Sequence, residues 1–120
     1  MNNHNLWLKA VAEHNKGEYL EAHEIFEDLW LETDNREEKD ILQTLAQADA
    51  LAVHLETGNL RAAQRLMRQL PELLQNFPNT YREINLVEVR EWIVVMISRI
   101  PQLGKIPEIS DIVPPKLLDS

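Results

Sequence analysis

The scarcity of helix-breaking residues constrains this chain more than any other feature. The 120 residues include 3 glycines and 6 prolines, and no proline precedes Pro71. Gly17 and Gly58 are therefore the obvious break points in the first half of the chain, where apolar residues recur at helical spacing. A glycine that follows a helix readily adopts the left-handed conformation that ends it. The pattern predicts an all-α domain.

Local signals predict five helices, at about residues 5–16, 18–32, 35–57, 59–70 and 85–99. Asn35 opens a capping box and Asn59 is placed to cap the fourth helix. Pro71 is expected to kink or restart that helix, because proline removes a backbone donor. Asn85 opens a second capping box, with Ile84 and Val89 spaced as a hydrophobic staple.

An internal repeat relates the first two helices to the next two. Sliding Gly17 onto Gly58 superposes Ala22 on Ala63, together with the bulky residues around each alanine. A glycine turn followed by a small alanine is typical of closely packed αα-hairpins and is similar to the tetratricopeptide pattern. The sequence therefore predicts a single-domain bundle of about five helices made of two αα-hairpins.

The last residues have a different composition. Residues 1–100 are predicted to form the bundle, and residues 101–120 to form an extended arm rich in proline. Apolar residues recur there at every third position: Leu103, Ile106, Ile109 and Ile112. The segment Trp92–Ile97 is apolar on every side and offers a surface for the arm. The arm is expected to pack on its own bundle or to build a homodimer together with the fifth helix.

Composition excludes several classes of function. The chain has no cysteine, so disulfides, thiolate metal sites and cysteine nucleophiles are absent. A net charge of -8 disfavours nucleic acid as a partner. No apolar run reaches the roughly 20 residues of a membrane span. The first residues lack the pattern of a secretory signal, which predicts a cytoplasmic location.

Polar residues interrupt the apolar faces of two helices. On the second helix, His23 and Glu27 lie four apart between two apolar strips, so they are expected to be partly buried, with Glu24 near the edge. One side of the third helix carries a row of uncharged polar residues, Gln43, Gln47 and His54. The opposite side carries charged residues that are expected to face water: Glu38, Asp49 and Glu56. We therefore predict a polar cluster with Glu24 at its mouth and Trp30 as its packing wall. Its members are His23, Glu27, Gln43, Gln47 and His54.

The same residues carry a resemblance to a known family. The segment from Lys16 to Trp30 contains the pattern G-x-Y-x-E-A-H-E-x-x-E-x-x-W. It is followed at family spacing by Gln43, Gln47, His54 and Gly58-Asn59. The chain from about Leu6 to Trp92 thus resembles the small helical family known as domain of unknown function 309. The resemblance implies a helical bundle with no established activity. It does not include His14, which replaces the usual aromatic residue, or the arm.

The polar cluster is compatible with three kinds of chemistry. His23, Glu27 and His54 are candidate ligands for a divalent metal such as zinc, manganese or iron. The sequence His23-Glu24-x-x-Glu27 nevertheless lacks the second histidine of the H-E-x-x-H metalloprotease motif. A buried Glu27 with a raised pKa is a candidate acid or base beside either histidine. Alternatively, the cluster is a hydrogen-bonded network that fixes the register of the helices.

The charge distribution suggests an interaction surface. Between Glu18 and Asp40 lie 10 of the 20 acidic residues, against two basic ones. This acidic face of the second helix is expected to bind a protein or a basic peptide. The fourth helix carries too few arginines to favour nucleic acid: Arg61, Arg65 and Arg68. The favoured interpretation is a non-enzymatic binding or adaptor protein. The alternative is a metal-dependent or acid–base enzyme of hydrolase type that uses His23, Glu27 and His54.

Overall fold

The computed structural model describes residues 3–106 and 113–120. Five α-helices make up most of the fold: α1 (Asn3–Asn15), α2 (Tyr19–Glu32), α3 (Arg36–Glu56), α4 (Leu60–Leu74) and α5 (Val87–Arg99). A short 3-10 helix, Ile100–Gln102, continues α5. The predicted all-α bundle of about five helices is confirmed.

The predicted ends of the first helices are close to those observed. Gly17 and Gly58 follow α1 and α3 with φ of +84° and +77°, a backbone region that favours glycine. The Asn35 side chain accepts a hydrogen bond from the Glu38 amide at 3.0 Å, and Asn59 accepts one from the Ala62 amide at 3.2 Å. These caps satisfy amides that the first turn of a helix leaves without a partner.

Two helix boundaries differ from those predicted. Helix α4 continues through Pro71 to Leu74 without restarting. Pro71 removes its own backbone donor from the helix, and the helix nevertheless continues beyond it as far as Leu74. Asn85 does not form a capping box with Glu88, because its side chain accepts from the Val87 amide at 2.9 Å and Leu86 is the N-cap residue of α5.

The structure also contains a small sheet that the sequence analysis does not predict. Its three antiparallel strands are β1 (Thr80–Tyr81), β2 (Ile84–Asn85) and β3 (Leu118–Asp119), in that order. Arg82 and Glu83 connect β1 to β2 with φ of 47° and 69°. Two residues with positive φ form the turn that best fits a tight hairpin, but glycine or asparagine normally occupies them. The absence of those residues explains why the hairpin is missed.

The apolar core lies between the helices and is closed by the sheet and the C-terminal segment. The main face of α2 is buried as predicted, including Ala22, Phe26 and Leu29. On α5, Ile93 and Met96 are buried whereas Val94 and Val95 are exposed. The fifth helix therefore buries only part of its apolar surface in this chain. Among the described residues, no helix has the length and apolar character to cross a membrane.

The described end of the arm packs on its own bundle. The side chain of Leu117 is 1% exposed and belongs to the core cluster. Leu103 and Ile106 also pack against that cluster, while Ile109 and Ile112 lie outside the described residues. The C-terminal residues thus contribute to the core of the chain that carries them. A homodimer through α5 and the arm stays a prediction.

Candidate ligand cavity between α2 and α3

A cavity of about 160 Å³ opens between α2 and α3. Five residues predicted to form or wall the polar cluster line it, together with one alanine. The lining residues are His23, Glu27, Trp30, Gln43, Ala46 and Gln47. Side chains four apart on a helix lie on the same face, so the spacing of His23 with Glu27 and of Gln43 with Gln47 brings both pairs to the cavity.

The ring of His23 has a fixed orientation. Its Nδ1 lies 2.7 Å from the carbonyl oxygen of Ala46. A carbonyl oxygen only accepts hydrogen bonds, so Nδ1 carries a proton and donates it. The Nε2 atom of the same ring lies 3.5 Å from Glu27 Oε2. In the neutral ring, Nε2 is therefore an unprotonated acceptor on the side of Glu27.

Glu27 is more exposed than its place between apolar strips suggests. Its side chain is 51% exposed, and two leucines of the same helix, Leu20 and Leu31, are themselves exposed. The expectation that Glu27 is partly buried is wrong. Its carboxylate faces both the cavity and solvent, which makes it accessible to a charged group from outside.

Trp30 and the two glutamines complete the lining. Trp30 is partly buried against the core, and Lys39 Nζ lies 5.6 Å from the centre of its ring. Gln47 Nε2 donates to Gln69 Oε1 on α4 at 3.4 Å. The cavity thus combines one aromatic wall with carboxylate and amide acceptors.

Two residues of the predicted cluster lie outside this cavity. Glu24 is exposed and does not line it. His54 lines a neighbouring concave surface between α3 and α4, together with Asn59 and Arg65. Burial lowers the pKa of His54, and the positive charges of Arg65 and His23 lower that pKa further. The neutral form of His54 is therefore favoured.

The described residues do not assemble a metal site from three such ligands. Within residues 3–106 and 113–120, no three His, Asp or Glu side chains are close enough to hold one ion. His23 and Glu27 form a pair, but His54 does not complete it. The three-ligand arrangement expected from the sequence is therefore not formed.

A second polar centre lies beneath the C-terminal segment and was missed from the sequence. His14 of α1 is 3% exposed and Asp49 of α3 is 0% exposed. His14 Nδ1 lies 2.6 Å from Asp49 Oδ1, and His14 Nε2 lies 2.8 Å from the carbonyl oxygen of Pro115. The expectation that Asp49 faces water is wrong. Its neighbours one turn away on either side are all apolar, and this is the signal that could have revealed its burial: Leu45, Ala46, Ala52 and Val53.

Burial and mutual attraction both act on this pair. Burial lowers the pKa of His14, but the hydrogen bond and charge of Asp49, with the Pro115 carbonyl, outweigh it and leave that pKa raised. Burial raises the pKa of Asp49, and the contact with His14 only partly opposes this effect. Both pKa values are shifted in the direction that favours retention of a proton. The two groups therefore titrate as a unit, which keeps its shared proton to a higher pH than a free histidine does.

Comparison with known proteins identifies a family but no activity. A family model described as "Domain of unknown function (DUF309)" matches residues 7–66, half of the chain. An uncharacterized protein of Aquifex aeolicus (strain VF5) is 31% identical over 96 residues. That match covers 79% of this chain and 28% of the relative, so the chain spans little more than a quarter of that protein's length.

Proposed function

Because the chain belongs to the DUF309 family, whose description assigns no activity, we propose a function from the geometry of the cavity. The protein is a binding or adaptor module, and its α2–α3 cavity receives a basic side chain of a protein or peptide partner. One observation carries this proposal. The accessible carboxylate of Glu27 stands beside an aromatic wall and amide acceptors in a cavity of side-chain size.

The volume of the cavity supports a side chain as its ligand. Drug-sized ligands occupy cavities of roughly 300–1,000 Å³. The space between α2 and α3 is about 160 Å³, well below that range. A single arginine or lysine side chain, supplied by a partner that rests on the surrounding surface, suits this size.

The lining supplies what a cationic group needs. The Glu27 carboxylate provides a counter-charge, and His23 presents Nε2 as an acceptor whenever its ring is neutral. Trp30 offers an aromatic surface of the kind on which a guanidinium group stacks. Arginine matches this combination better than lysine, because its planar group donates in several fixed directions while it stacks.

The helix that contributes Glu27 to the cavity is acidic. Helix α2 exposes carboxylates along its length: Glu21, Glu24, Glu27, Asp28 and Glu32. Long-range attraction of this kind accelerates the encounter with a basic partner and weakens as salt is added. The basic residues of α4 line a separate concave surface, so the charge of the molecule is polarised.

A titration with matched peptides tests the proposal. Full-length protein is titrated with a blocked tripeptide that has a central arginine, and with the same peptide containing citrulline, which is isosteric and uncharged. Amide and indole NMR shifts report binding. We expect the arginine peptide to shift signals of Trp30, Ala46 and Gln47, and to bind about tenfold more tightly than the citrulline peptide, as for a charge-assisted hydrogen bond.

Substitution of the carboxylate provides the matched control. Glu27→Gln is expected to remove the preference for arginine over citrulline. Glu91→Gln removes the same charge from an exposed position on α5 and is expected to leave the preference unchanged. Equal affinity for both peptides in the native protein contradicts the proposal, as does a preference that survives Glu27→Gln.

A metal-dependent or acid–base enzyme is the second candidate, and the orientation of His23 favours it. Metal-ligating histidines commonly donate their other ring nitrogen to a backbone carbonyl, as His23 does to Ala46. Among the described residues only Glu27 accompanies it, so a metal held there would complete its coordination with water or substrate. Titration with zinc checks this candidate: binding of one ion that is abolished by His23→Ala supports it, and an unchanged affinity contradicts it.

A further inference from the structure

The bundle holds the C-terminal segment mainly through the backbone of that segment. The Asn15 side chain donates to the Leu117 carbonyl at 2.8 Å and accepts from the Leu117 amide at 2.7 Å. Strand β3 pairs with β2, and the Ser120 amide donates to the Glu83 carbonyl at 2.9 Å. Contacts of this kind recognise an extended conformation in many sequences.

Pro114 and Leu117 are the buried residues of the segment. Leu117 is 1% exposed, whereas Leu118 and Lys116 on either side of it are exposed. Leu117 thus enters the core directly before β3, the strand that adds to the edge of the sheet. We name the surface formed by His14, Asn15 and β2 the C-terminal groove.

The His14–Asp49 pair contributes a hydrogen bond that depends on its proton. The Pro115 carbonyl only accepts, so His14 Nε2 must carry a proton to bind it. A second proton must lie between His14 Nδ1 and Asp49 Oδ1, which are 2.6 Å apart. The ring is thus a donor toward the segment only while the pair also holds its shared proton.

Loss of the shared proton forces a choice between the two contacts. Asp49 is fully buried and its Oδ2 has no hydrogen-bond partner among the described residues, so its charge depends on His14. The remaining ring proton therefore stays on Nδ1, facing Asp49. The lone pair of Nε2 then faces the Pro115 carbonyl oxygen, and the contact becomes repulsive.

The other titratable groups around the pair come from α2 and α3. The Tyr19 ring lies against His14, with 5.5 Å between the ring centres. Burial raises the pKa of Tyr19, and the charge of Asp49 raises it further. The charge of Glu56 also raises the pKa of Tyr19, and the charge of His23 lowers the pKa of Asp49. The segment itself carries Lys116, which is exposed. None of these groups lies between His14 and Pro115, so the shared proton controls that contact directly.

We infer that the C-terminal groove is a proton-dependent peptide site. It binds an extended segment with one buried leucine, here residues 113–120 of the same chain, while the His14–Asp49 pair holds its shared proton. It releases that segment when the proton is lost. This proposal is independent of the α2–α3 cavity.

Hydrogen exchange of the native protein tests the proton dependence. The Leu117 amide is followed as a protection factor, which corrects for the effect of pH on the intrinsic exchange rate. We expect its protection to fall about tenfold between roughly pH 6 and pH 9, while the Leu45 amide in α3 stays protected. Unchanged protection of Leu117 over this range overturns the proposal.

The variant Asp49→Asn supplies the matched comparison. An asparagine at this position can donate to neutral His14 Nδ1, which leaves the proton on Nε2 for Pro115 at any pH. We therefore expect protection of Leu117 in this variant to be independent of pH. A pH dependence equal to that of the native protein overturns the proposal.

A peptide added in trans tests the groove as a binding site. Leu117→Asp, in the full chain, places a charge in the apolar pocket and is expected to vacate the groove. Fluorescence anisotropy then follows a labelled, blocked peptide with the sequence of residues 113–120. We expect saturable binding near pH 6 that weakens about tenfold near pH 9, and none for the same peptide with Leu117→Asp.

Competition in the native chain covers the case in which the variant does not fold. Excess peptide is expected to displace the resident segment and to lower the protection of the Leu117 amide. If a folded Leu117→Asp variant does not bind the peptide, the proposal is overturned. It is equally overturned if excess peptide leaves protection in the native chain unchanged.

Discussion

The α2–α3 cavity and the His14–Asp49 pair are built from the same kinds of side chain, but they differ in accessibility. In the cavity, His23 is held by one backbone carbonyl and Glu27 remains half exposed. Beneath the C-terminal segment, both ring nitrogens of His14 have a partner and Asp49 is fully buried. In the cavity, the Glu27 carboxylate is accessible to a ligand. The His14–Asp49 pair instead connects α1, α3 and the C-terminal segment.

This difference shows that the same two residue types can serve two different roles. A histidine beside a carboxylate binds a ligand where one ring nitrogen faces open space, and stabilises the fold where both are occupied. Burial determines which outcome applies, because an ionised group deep in the core depends on its partner far more than an exposed one. Substitutions in the two centres should therefore affect different properties.

The largest effect is expected from His14→Ala. This substitution removes the hydrogen-bond partner that the described residues give to the buried Asp49, and it removes the donor to Pro115. Loss of one member of a buried ion pair costs about 3–5 kcal/mol. Urea unfolding followed by circular dichroism measures the free energy of unfolding. A loss below about 1 kcal/mol would show that the pair is not a stabilising contact.

A smaller loss is expected from Leu117→Ala. The substitution leaves a cavity where a fully buried side chain joins the C-terminal segment to the core. Leucine-to-alanine changes in cores cost about 2–5 kcal/mol, and the lower end is expected here because the adjoining segment can shift inward. Leu118→Ala, at an exposed neighbour, is the control and should change the free energy of unfolding by less than about 0.5 kcal/mol. Equal effects of the two variants contradict the burial of Leu117.

The third effect is a dependence of stability on pH. The pKa of His14 is raised above its ordinary value of 6.5, so the folded pair keeps a proton that the unfolded chain loses. The folded state then binds more protons than the unfolded state, and stability falls as pH rises above 6.5. Below that pH both states hold the proton and this contribution is complete.

Denaturation at several pH values checks this sign. His54 acts in the opposite direction and at lower pH, because its pKa is lowered in the folded protein. Asp49→Asn is expected to flatten the decline above 6.5 without altering the contribution of His54. Stability that rises with pH over that range contradicts the raised pKa of His14.

The smallest effect on stability is expected from His23→Ala. This side chain is partly exposed, and its hydrogen bond to the Ala46 carbonyl is expected to contribute about 0.5–1.5 kcal/mol. The same variant should weaken binding of the arginine peptide, which His14→Ala should not do if the protein remains folded. A loss of stability as large as that of His14→Ala removes the distinction between the two centres.

The sequence predicts the helices well because their signals are local. Asn35 and Asn59 cap their helices, and the glycine turns lie where the left-handed conformation is needed. The hairpin formed by β1 and β2 is not predicted, because Arg82 and Glu83 occupy positions that usually hold asparagine or glycine. Tertiary packing holds that turn in place.

The candidate site was predicted in part for the same reason. Spacing along α2 and α3 brings His23, Glu27 and the glutamines to one cavity, because helical periodicity is regular. The pairing of His14 with Asp49 joins positions 35 residues apart, and the contact with Pro115 spans 101 residues. Such contacts depend on how α1, α3 and the C-terminal segment pack together, which periodicity alone does not specify.

The protonation of the two histidine rings tests the contrast most directly. Long-range nitrogen–proton NMR spectra of the native protein, recorded at about pH 6 for His14 and at about pH 8 for His23, distinguish the ring nitrogens of each histidine. We predict that His14 Nε2 carries a slowly exchanging proton bound to Pro115, and that His23 carries its proton on Nδ1 and none on Nε2. A His14 ring without a proton on Nε2, or a His23 ring protonated there, would contradict the account.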